Sequence, residues 1–247
     1  MTQADRRASS GEQAQSAVSI SVFFPCYNEQ ANVARVAEQA VRVLEGLGAD
    51  YEIIIVDDGS ADETGRIADE IAAGNHRVRV VHHERNLGYG AALQSGFRAA
   101  RKELVFYTDG DGQFDIGEMP ALLPLMNDFD IVSCYRMNRR DNIVRKMNGW
   151  LWTKVAGLVF SLKVRDVDCA FKLYRRSIFD RIKMESTGAL IDTEILARAA
   201  RKGYTITQRG VHHYPRTAGR QTGASLRVIL RAFRELWQLR RRIVREP

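Results

Sequence analysis

The chain has 247 residues, 45% hydrophobic and 27% charged, with a formal net charge of +7. This size and balance fit one globular α/β domain and exclude a disordered or collagen-like chain. Three widely spaced cysteines, Cys26, Cys134 and Cys169, exclude a disulfide framework or Cys-x-x-Cys metal knuckle and fit a reducing compartment.

Residues 1–17 are polar, lack the apolar core of a secretory signal and are expected to form a disordered leader. A strand is predicted from Ser19 to Phe24, ended by Pro25, then a helix over Asn32–Leu47. A second strand over Tyr51–Val56 stops at Asp57-Asp58-Gly59-Ser60. A helix over Glu63–Ala73, a strand over Val78–His82, a helix over Gly90–Arg101 and a strand over Leu104–Thr108 follow. Alternation of this kind predicts a parallel sheet flanked by helices, with ligands bound beyond the C-terminal strand ends. The polar clusters Tyr27-Asn28-Glu29, Asp57-Asp58 and Asp109-Gly110-Asp111 each follow a strand and should meet at one sheet edge. Further helices are expected near Val144–Phe160, Asp192–Lys202 and Leu226–Arg245. The domain proper is expected over 18–222, followed by a basic amphipathic helix over 223–247. No stretch of about 18 apolar residues occurs, so no transmembrane helix is expected.

Asp109, Asp111 and Asp115 lie within seven residues, separated in part by Gly110 and Gly112. Carboxylates this close repel unless a cation or a proton relieves them. Mg²⁺ and Mn²⁺ favour such oxygen ligands and complete their shells with substrate phosphates. The competing reading is a solvated acidic turn. An EF-hand loop fits poorly, with Phe114 at its sixth position and Pro120 at its twelfth. A dehalogenase-type phosphatase would want a hydroxyl residue where Gln113 stands. Near the second strand, Ser60 or Asp62 can cap the next helix, which leaves an acid at the sheet edge free for a ribose hydroxyl or a base N–H. The turn Asn86-Leu87-Gly88-Tyr89-Gly90 precedes a helix, so its backbone N–H groups could face a diphosphate.

Together, Pro25-Cys26-Tyr27-Asn28-Glu29, Val56-Asp57-Asp58-Gly59-Ser60, Asn86-Leu87-Gly88 and Asp109-Gly110-Asp111-Gly112-Gln113 resemble the ordered signatures of family 2 glycosyltransferases. The resemblance covers about Ser19 to Tyr214 and is strongest to the dolichol- and polyprenol-phosphate hexosyltransferases. It implies the single-domain A-type glycosyltransferase fold, a nucleoside-diphosphate sugar as donor, and a divalent cation, Mg²⁺ or Mn²⁺. It implies a nucleotide pocket lined by Tyr27, Glu29 and Asp57, with Pro25, Asn86, Gly88 and Gly110 of the same motifs among the substrate-binding residues. It implies that Asp109, Asp111 and Gln113 hold the metal and the diphosphate. His213-Tyr214-Pro215-Arg216 and Gly219 resemble a segment that closes over the diphosphate, with Arg216 as phosphate contact and catalytic residue. The subgroup often has Pro where this chain has Asp115.

The resemblance also bears on the acceptor. Arg136, Arg139, Arg140 and Arg145 surround a stretch that resembles an acceptor-phosphate region, with Arg136 and Arg145 as the best matches; a solvated basic helix face is the alternative. The segment Asp166–Lys172 ends Cys-Ala-Phe-Lys where the family reads Ser-Gly-Phe-Arg, so Cys169 and Lys172 are left out of the expected site. Glu194, and Asp192 beside it, fall where relatives carry an acid near the sugar, though an acid in a first helical turn explains them equally. The expected acceptor is a lipid phosphate. Alternatives are a hydroxyl acceptor in glycan synthesis or a non-catalytic sugar-nucleotide or lipid binder.

From Arg216 to Pro247 nine arginines oppose two glutamates, which equals the net charge of the whole chain. Leu226, Ile229, Leu230, Phe233, Leu236, Trp237 and Val244 share one arc of the final helix. That helix either packs on the domain or lies on an anionic membrane surface. The expected location is cytoplasmic, peripheral on the cytoplasmic membrane face, with no nucleic-acid partner.

Overall fold

The computed structural model describes residues 18–137, 143–216 and 226–245, with the side chains of 147–216 and 235–245 in the latter two stretches. Four strands come first: β1 (Ser19–Cys26), β2 (Asp50–Asp57), β3 (Val78–His82) and β4 (Leu104–Thr108). Between them lie α1 (Val33–Gly46), α2 (Thr64–Gly74) and α3 (Tyr89–Ala99). A 3-10 segment, Ile116–Asn127, leads to β5 (Ile131–Ser133) and β6 (Tyr135–Met137). Then come α4 (Ile143–Phe160), β7 (Phe171–Arg175), α5 (Ile191–Arg201), β8 (Ile206–Thr207), β9 (Gly210–His212) and α6 (Leu226–Arg245).

The main sheet runs β3-β2-β1-β4-β7-β5-β8, and β6 pairs with β9 in a small second sheet. Pairing is parallel except that β7 runs against both β4 and β5. The order therefore reverses direction between β1 and β4, the crevice where such sheets bind ligands. β2 is apolar and buried from Ile53 to Val56, as a strand covered on both faces must be.

β1 extends through Pro25 to Cys26, two residues past the expected stop. The β4 ladder ends opposite Phe23, so the missing N–H of Pro25 falls beyond it, while its carbonyl accepts from Gly110 N at 3.2 Å. Beneath the crevice, Phe23 meets Phe97 edge-on at 4.8 Å, and Phe97 stacks on Phe179 at 4.0 Å. Cys26, Cys134 and Cys169 are buried free thiols. Burial pushes all three upward, Cys134 to about 12.

Of the expected arc's described side chains, Leu236 is buried while Trp237 and Val244 are exposed; α6 packs inward instead through Leu236 with Leu239 and Ile243, which the expected arc did not include. α6 rests on α4 and α5. Among the described residues no helix is long and apolar enough to cross a membrane.

Gly96 of α3 sits flat against the Phe23 ring, which a Cβ would overlap. Gly96→Ala is expected to cost about 1–3 kcal/mol in urea unfolding, the cost of overpacking a filled core. Gly74→Ala, with nothing within 4 Å, should change stability by less than about 1 kcal/mol.

Candidate active site

The loops after β1, β2 and β4 converge as their strand ends require. Asn28, at φ 56°, turns the first loop onto the second. Its amide donates to Ser60 Oγ at 3.0 Å, and its Oδ1 accepts from Ala61 N at 2.8 Å. Glu29 N donates to Thr64 Oγ1 at 2.8 Å. Tyr27 is left half exposed at the rim, and the Glu29 carboxylate is buried, held by Asn32 Nδ2 at 2.7 Å.

Asp57 and Asp58 divide their work. Asp57 accepts from Ser60 N at 3.0 Å and meets His82 Nδ1 at 3.1 Å. Asp58 accepts from Leu87 N at 2.9 Å and Gly88 N at 3.0 Å, with His83 Nδ1 at 2.6 Å. Gly59, at φ +67°, lies so close to the Arg85–Asn86 backbone that a side chain would collide with it. These contacts fix the 86–88 turn and leave Asn86 exposed.

This arrangement corrects the expectation of a phosphate cradle at the start of α3. The N–H groups of Leu87 and Gly88 serve Asp58, and those of Gly90 and Ala91 donate to Thr187 O at 2.9 and 3.3 Å. A Cβ on Gly90 would lie 2.5 Å from Ser186 O. The small residues admit the 186–188 backbone, not a diphosphate.

The Asp109–Gln113 turn is built by close approach. A Cβ on Gly110 would lie 2.5 Å from Cys26 Sγ, and one on Gly112, at φ +70°, would overlap the Arg35 guanidinium. Asp111 Oδ1 accepts from Gln113 N at 3.0 Å. Asp115 accepts from Gly117 N at 2.8 Å and caps the 3-10 segment, which explains that acid without a ligand role.

Asp109 is the exceptional group. Its Oδ1 is buried without a hydrogen-bond partner. Burial, then the charges of Asp111 and Asp192, push its carboxyl up to about 8. Asp111 is also raised, chiefly by burial, and is held down by Gln113 N and the nearby Arg216 and Arg35. Among the described residues no three His, Cys, Asp or Glu form a closed metal cage. Two crowded carboxylates, one with an unsatisfied oxygen, suit a hard divalent cation whose remaining ligands come from substrate or water.

A strap crosses the turn. Tyr214 N donates to Gln113 O at 2.8 Å, Gln113 Nε2 donates to Tyr214 O at 2.9 Å, and His213 packs edge-on against Phe114 at 5.1 Å. Arg216 pairs with Glu29 and approaches Asp111 at 3.9 Å. Arg216, 187 residues from Glu29, thus reaches the same crevice.

On the acceptor side, Arg136 grips Asp166 through Nε at 2.7 Å and Nη2 at 2.8 Å. Arg139, Arg140 and the side chain of Arg145, like Gly219, lie outside the described residues. Glu194 is fully buried, accepts from Glu185 N at 3.1 Å and Ser186 N at 2.7 Å, and pairs with Arg198 at 2.8 Å. Of these two α5 acids, Asp192 is the one whose charge raises Asp109, after that of Asp111. Lys172, left out by sequence reasoning, is fully buried and bonds Asp192 at 2.6 Å, Cys169 O at 2.6 Å and Tyr107 Oη at 3.0 Å. Tyr107 also bonds Asp192, and Tyr89 lies near enough to both Tyr107 and Asp109 to act on them. Lys172 thereby ends a buried chain that begins at the crevice. Burial and the charges of Asp192 and Asp166 push Asp168 up to about 7.

The chain belongs to glycosyl transferase family 2, which it matches over residues 21–183. Within that class it is similar to a dodecaprenyl-phosphate galacturonate synthase of Rhizobium johnstonii, 31% identical over 169 residues, covering 67% of this chain and 50% of the relative. It is also 31% identical over 213 residues to an undecaprenyl-phosphate 4-deoxy-4-formamido-L-arabinose transferase of Enterobacter sp., covering 85% of this chain and 64% of the relative. A third relative, glycosyltransferase AglD of Haloferax volcanii, is 31% identical, with 81% and 34% covered. The chain thus spans between 34% and 64% of these curated relatives' lengths. Glucosyl-3-phosphoglycerate synthase of Mycobacterium tuberculosis, solved with uridine diphosphate, has the same fold at TM-score 0.68 and 20% identity, with 93% and 81% covered. The same enzyme solved with Mn²⁺, uridine diphosphate and glucosyl-3-phosphoglycerate gives TM-score 0.65 at 22% identity, with 92% and 77% covered.

The Asp109 carboxyl titrates near 8 in the fold against 3.8 as an unperturbed group, so the folded chain keeps a proton that the unfolded chain has lost. Without a cation, stability contributed by this group therefore falls as pH rises from about 4 to about 8. Asp109→Asn in excess chelator should melt at least about 2 °C above wild type at pH 8. The gap should close near pH 4, as followed by thermal unfolding.

Proposed function

We propose that the chain transfers a sugar from a nucleoside-diphosphate sugar to a lipid phosphate of the polyprenyl type, with inversion and with a divalent cation. Donor class and cation are supported by the family, by the Asp109–Asp111 pair, and by a solved neighbour whose structures hold uridine diphosphate and Mn²⁺. Tyr27, Glu29 and Asp57, with Pro25 and Gly110 beneath them, are assigned to the nucleotide side, and Arg216 to the diphosphate. Asp109 and Asp111 would hold Mg²⁺ or Mn²⁺, which supplies neutralisation of charge on the departing diphosphate. Gln113 holds the strap that carries Arg216. On release of Glu29 and Asp111, the Arg216 guanidinium can hydrogen-bond the leaving phosphate as charge develops there.

One observation favours a phosphate acceptor. Asp192 is committed to Lys172 and Tyr107, and Glu194 to Arg198 and two backbone amides, so neither is free to remove a proton. A phosphate oxygen is anionic near neutral pH and needs no strong base. The names of the curated relatives point the same way. A hydroxyl acceptor is the second reading, favoured by Asp168, whose carboxyl is poised near 7, within a general base's range. Arg136 would orient an acceptor phosphate only by sharing its fork with Asp166. Arg145 is assigned there on family resemblance alone.

The outward face of α4 suits a lipid acceptor. Met147, Trp150, Leu151 and Leu158 are exposed, and with Lys154 they fall within an arc of about 100°. Trp237 of α6 is also exposed, Arg240 lies over its ring at 5.7 Å, and Arg240 reaches Val159 O of α4 at 3.4 Å. Apolar side chains beside the +7 segment fit the interface of an anionic bilayer.

Transfer of labelled sugar to polyprenyl phosphate, with free polyprenol as control, tests the reading. Asp111→Ala should lower the rate by at least about two orders of magnitude. Asp168→Asn should have a modest effect. Equal transfer to both acceptors, or loss of activity in Asp168→Asn with a hydroxyl acceptor working, overturns the phosphate assignment. Separately, Trp150→Ser with Leu158→Ser should weaken flotation with anionic vesicles at least about tenfold, given about 1.5–3 kcal/mol for each large side chain fully buried. Unchanged flotation would show that this face does not enter the bilayer.

A further inference from the structure

The ends of β2 and β3 bring two acids and two histidines together in register. Asp57 and His82 are Cα partners in the parallel ladder. His82 turns toward α2 and His83 toward α3, so each imidazole meets one of the two aspartates. His83 sits between Asp58, at 2.6 Å, and Ser95, at 2.8 Å, and belongs to the fixed 86–88 turn. His82 sits between two carboxylates: Nδ1 is 3.1 Å from Asp57 Oδ2 and Nε2 is 2.9 Å from Asp69 Oδ1. Gly65 of α2 packs against this contact, where a Cβ would lie 2.7 Å from Asp57 Oδ2 and 3.5 Å from His82 Cε1.

We propose that His82 is a positioning residue for Asp57: as an imidazolium held by Asp69, it orients and neutralises the carboxylate that receives the nucleotide, and donor affinity falls when it loses its proton. The inference rests on the assignment of Asp57 to the nucleotide pocket. An imidazole facing two carboxylates satisfies both only when both its nitrogens carry protons. Once neutral, it has one N–H for two acceptors, so one carboxylate faces a nitrogen lone pair. A neutral ring also leaves the full negative charge of Asp57 near an anionic nucleotide. Both effects weaken binding as pH rises.

The surroundings favour the cation. The hydrogen bond to Asp69 comes first among the causes that raise His82, opposed by partial burial and reinforced by Asp57. The other charged groups nearby have partners of their own. Arg66 of α2 pairs with Glu63 and Glu70, Arg79 of β3 pairs with Glu52, and His83 faces Asp58. Asp62, in the loop before α2, accepts from Gln30 N and Thr64 N.

The test measures binding of UDP and of GDP, each with saturating Mg²⁺, by calorimetry from pH 6 to 9 on the full chain. For whichever nucleotide binds, the wild type should lose about fivefold or more in affinity across the deprotonation of His82. His82→Gln, which keeps a donor but cannot titrate, should lose the step that His82 causes and keep only the pH dependence common to both proteins. Asp69→Asn keeps the imidazole and removes its main anchor, so the affinity loss should move to lower pH. By reciprocity, bound nucleotide should raise the His82 midpoint, read from its ring NMR signals, by about 0.7 pH unit for a fivefold coupling. Identical profiles in wild type and His82→Gln, or a midpoint indifferent to nucleotide, overturn the inference and leave the pocket standing. Failure of both nucleotides to bind at any pH overturns the pocket assignment, and the inference with it.

Discussion

A carboxyl at the end of a central strand, with one buried oxygen facing no donor, is costly, and the crevice is organised around that cost. Asp109 stands close enough to Asp111 and Asp192 for their charges to raise it. Each neighbouring acid has its own counter-charge: Arg216 and Arg35 act on Asp111, Lys172 holds Asp192, and Arg136 holds Asp166. Asp109 is eased by the Tyr89 hydroxyl and the charge of Arg136, which do not offset its burial and its acidic neighbours. A folded chain tolerates such a group when a ligand resolves it, because an unpaired buried charge otherwise neutralises by taking up a proton.

The same constraint explains the close packing around the turn. Gly110 and Gly112 let the chain bend tightly enough to bring both acids to one side. Cys26 Sγ and the Arg35 guanidinium fill the space where side chains would stand. Behind the turn, the chain of hydroxyls from Tyr89 to Tyr107 carries the polar network down to Lys172, within an otherwise aromatic layer. A lysine with 0% exposure is stable there because three oxygen acceptors surround it.

Much of this was legible in the sequence where local chemistry sets local structure. The strands Val78–His82 and Leu104–Thr108 and the helix Leu226–Arg245 fall where pattern placed them, and the polar clusters that follow β1, β2 and β4 meet at one edge. What was hidden depends on partners distant in the chain. The start of α3 reads as an anion site until Thr187, nearly a hundred residues away, is seen to take its amides. Glu194 reads as a site acid until its backbone donors and Arg198 appear. Lys172 was set aside because it departs from a pattern, although an apolar strand carrying one lysine was a sign of a buried ion pair. The two histidines after Val81 carried a usable signal: they end a strand whose parallel neighbour ends in two aspartates. Strands β5 to β9 have two to five residues each, too few for a period of two to stand out.

The three thiols have a consequence of a different kind. Cys26 lies under the Asp109–Gln113 turn, Cys134 follows β5, and Cys169 lies in the loop before β7, all buried and all held in the protonated form. A disulfide-exchange reagent attacks thiolates it can reach, so in the closed fold these sulfurs are silent. They become reactive only when the sheet opens around them. Their labelling rates therefore act as three internal clocks, each timing the opening of a different layer of the crevice. Peptide mapping can read all three from one sample without adding a probe to the protein.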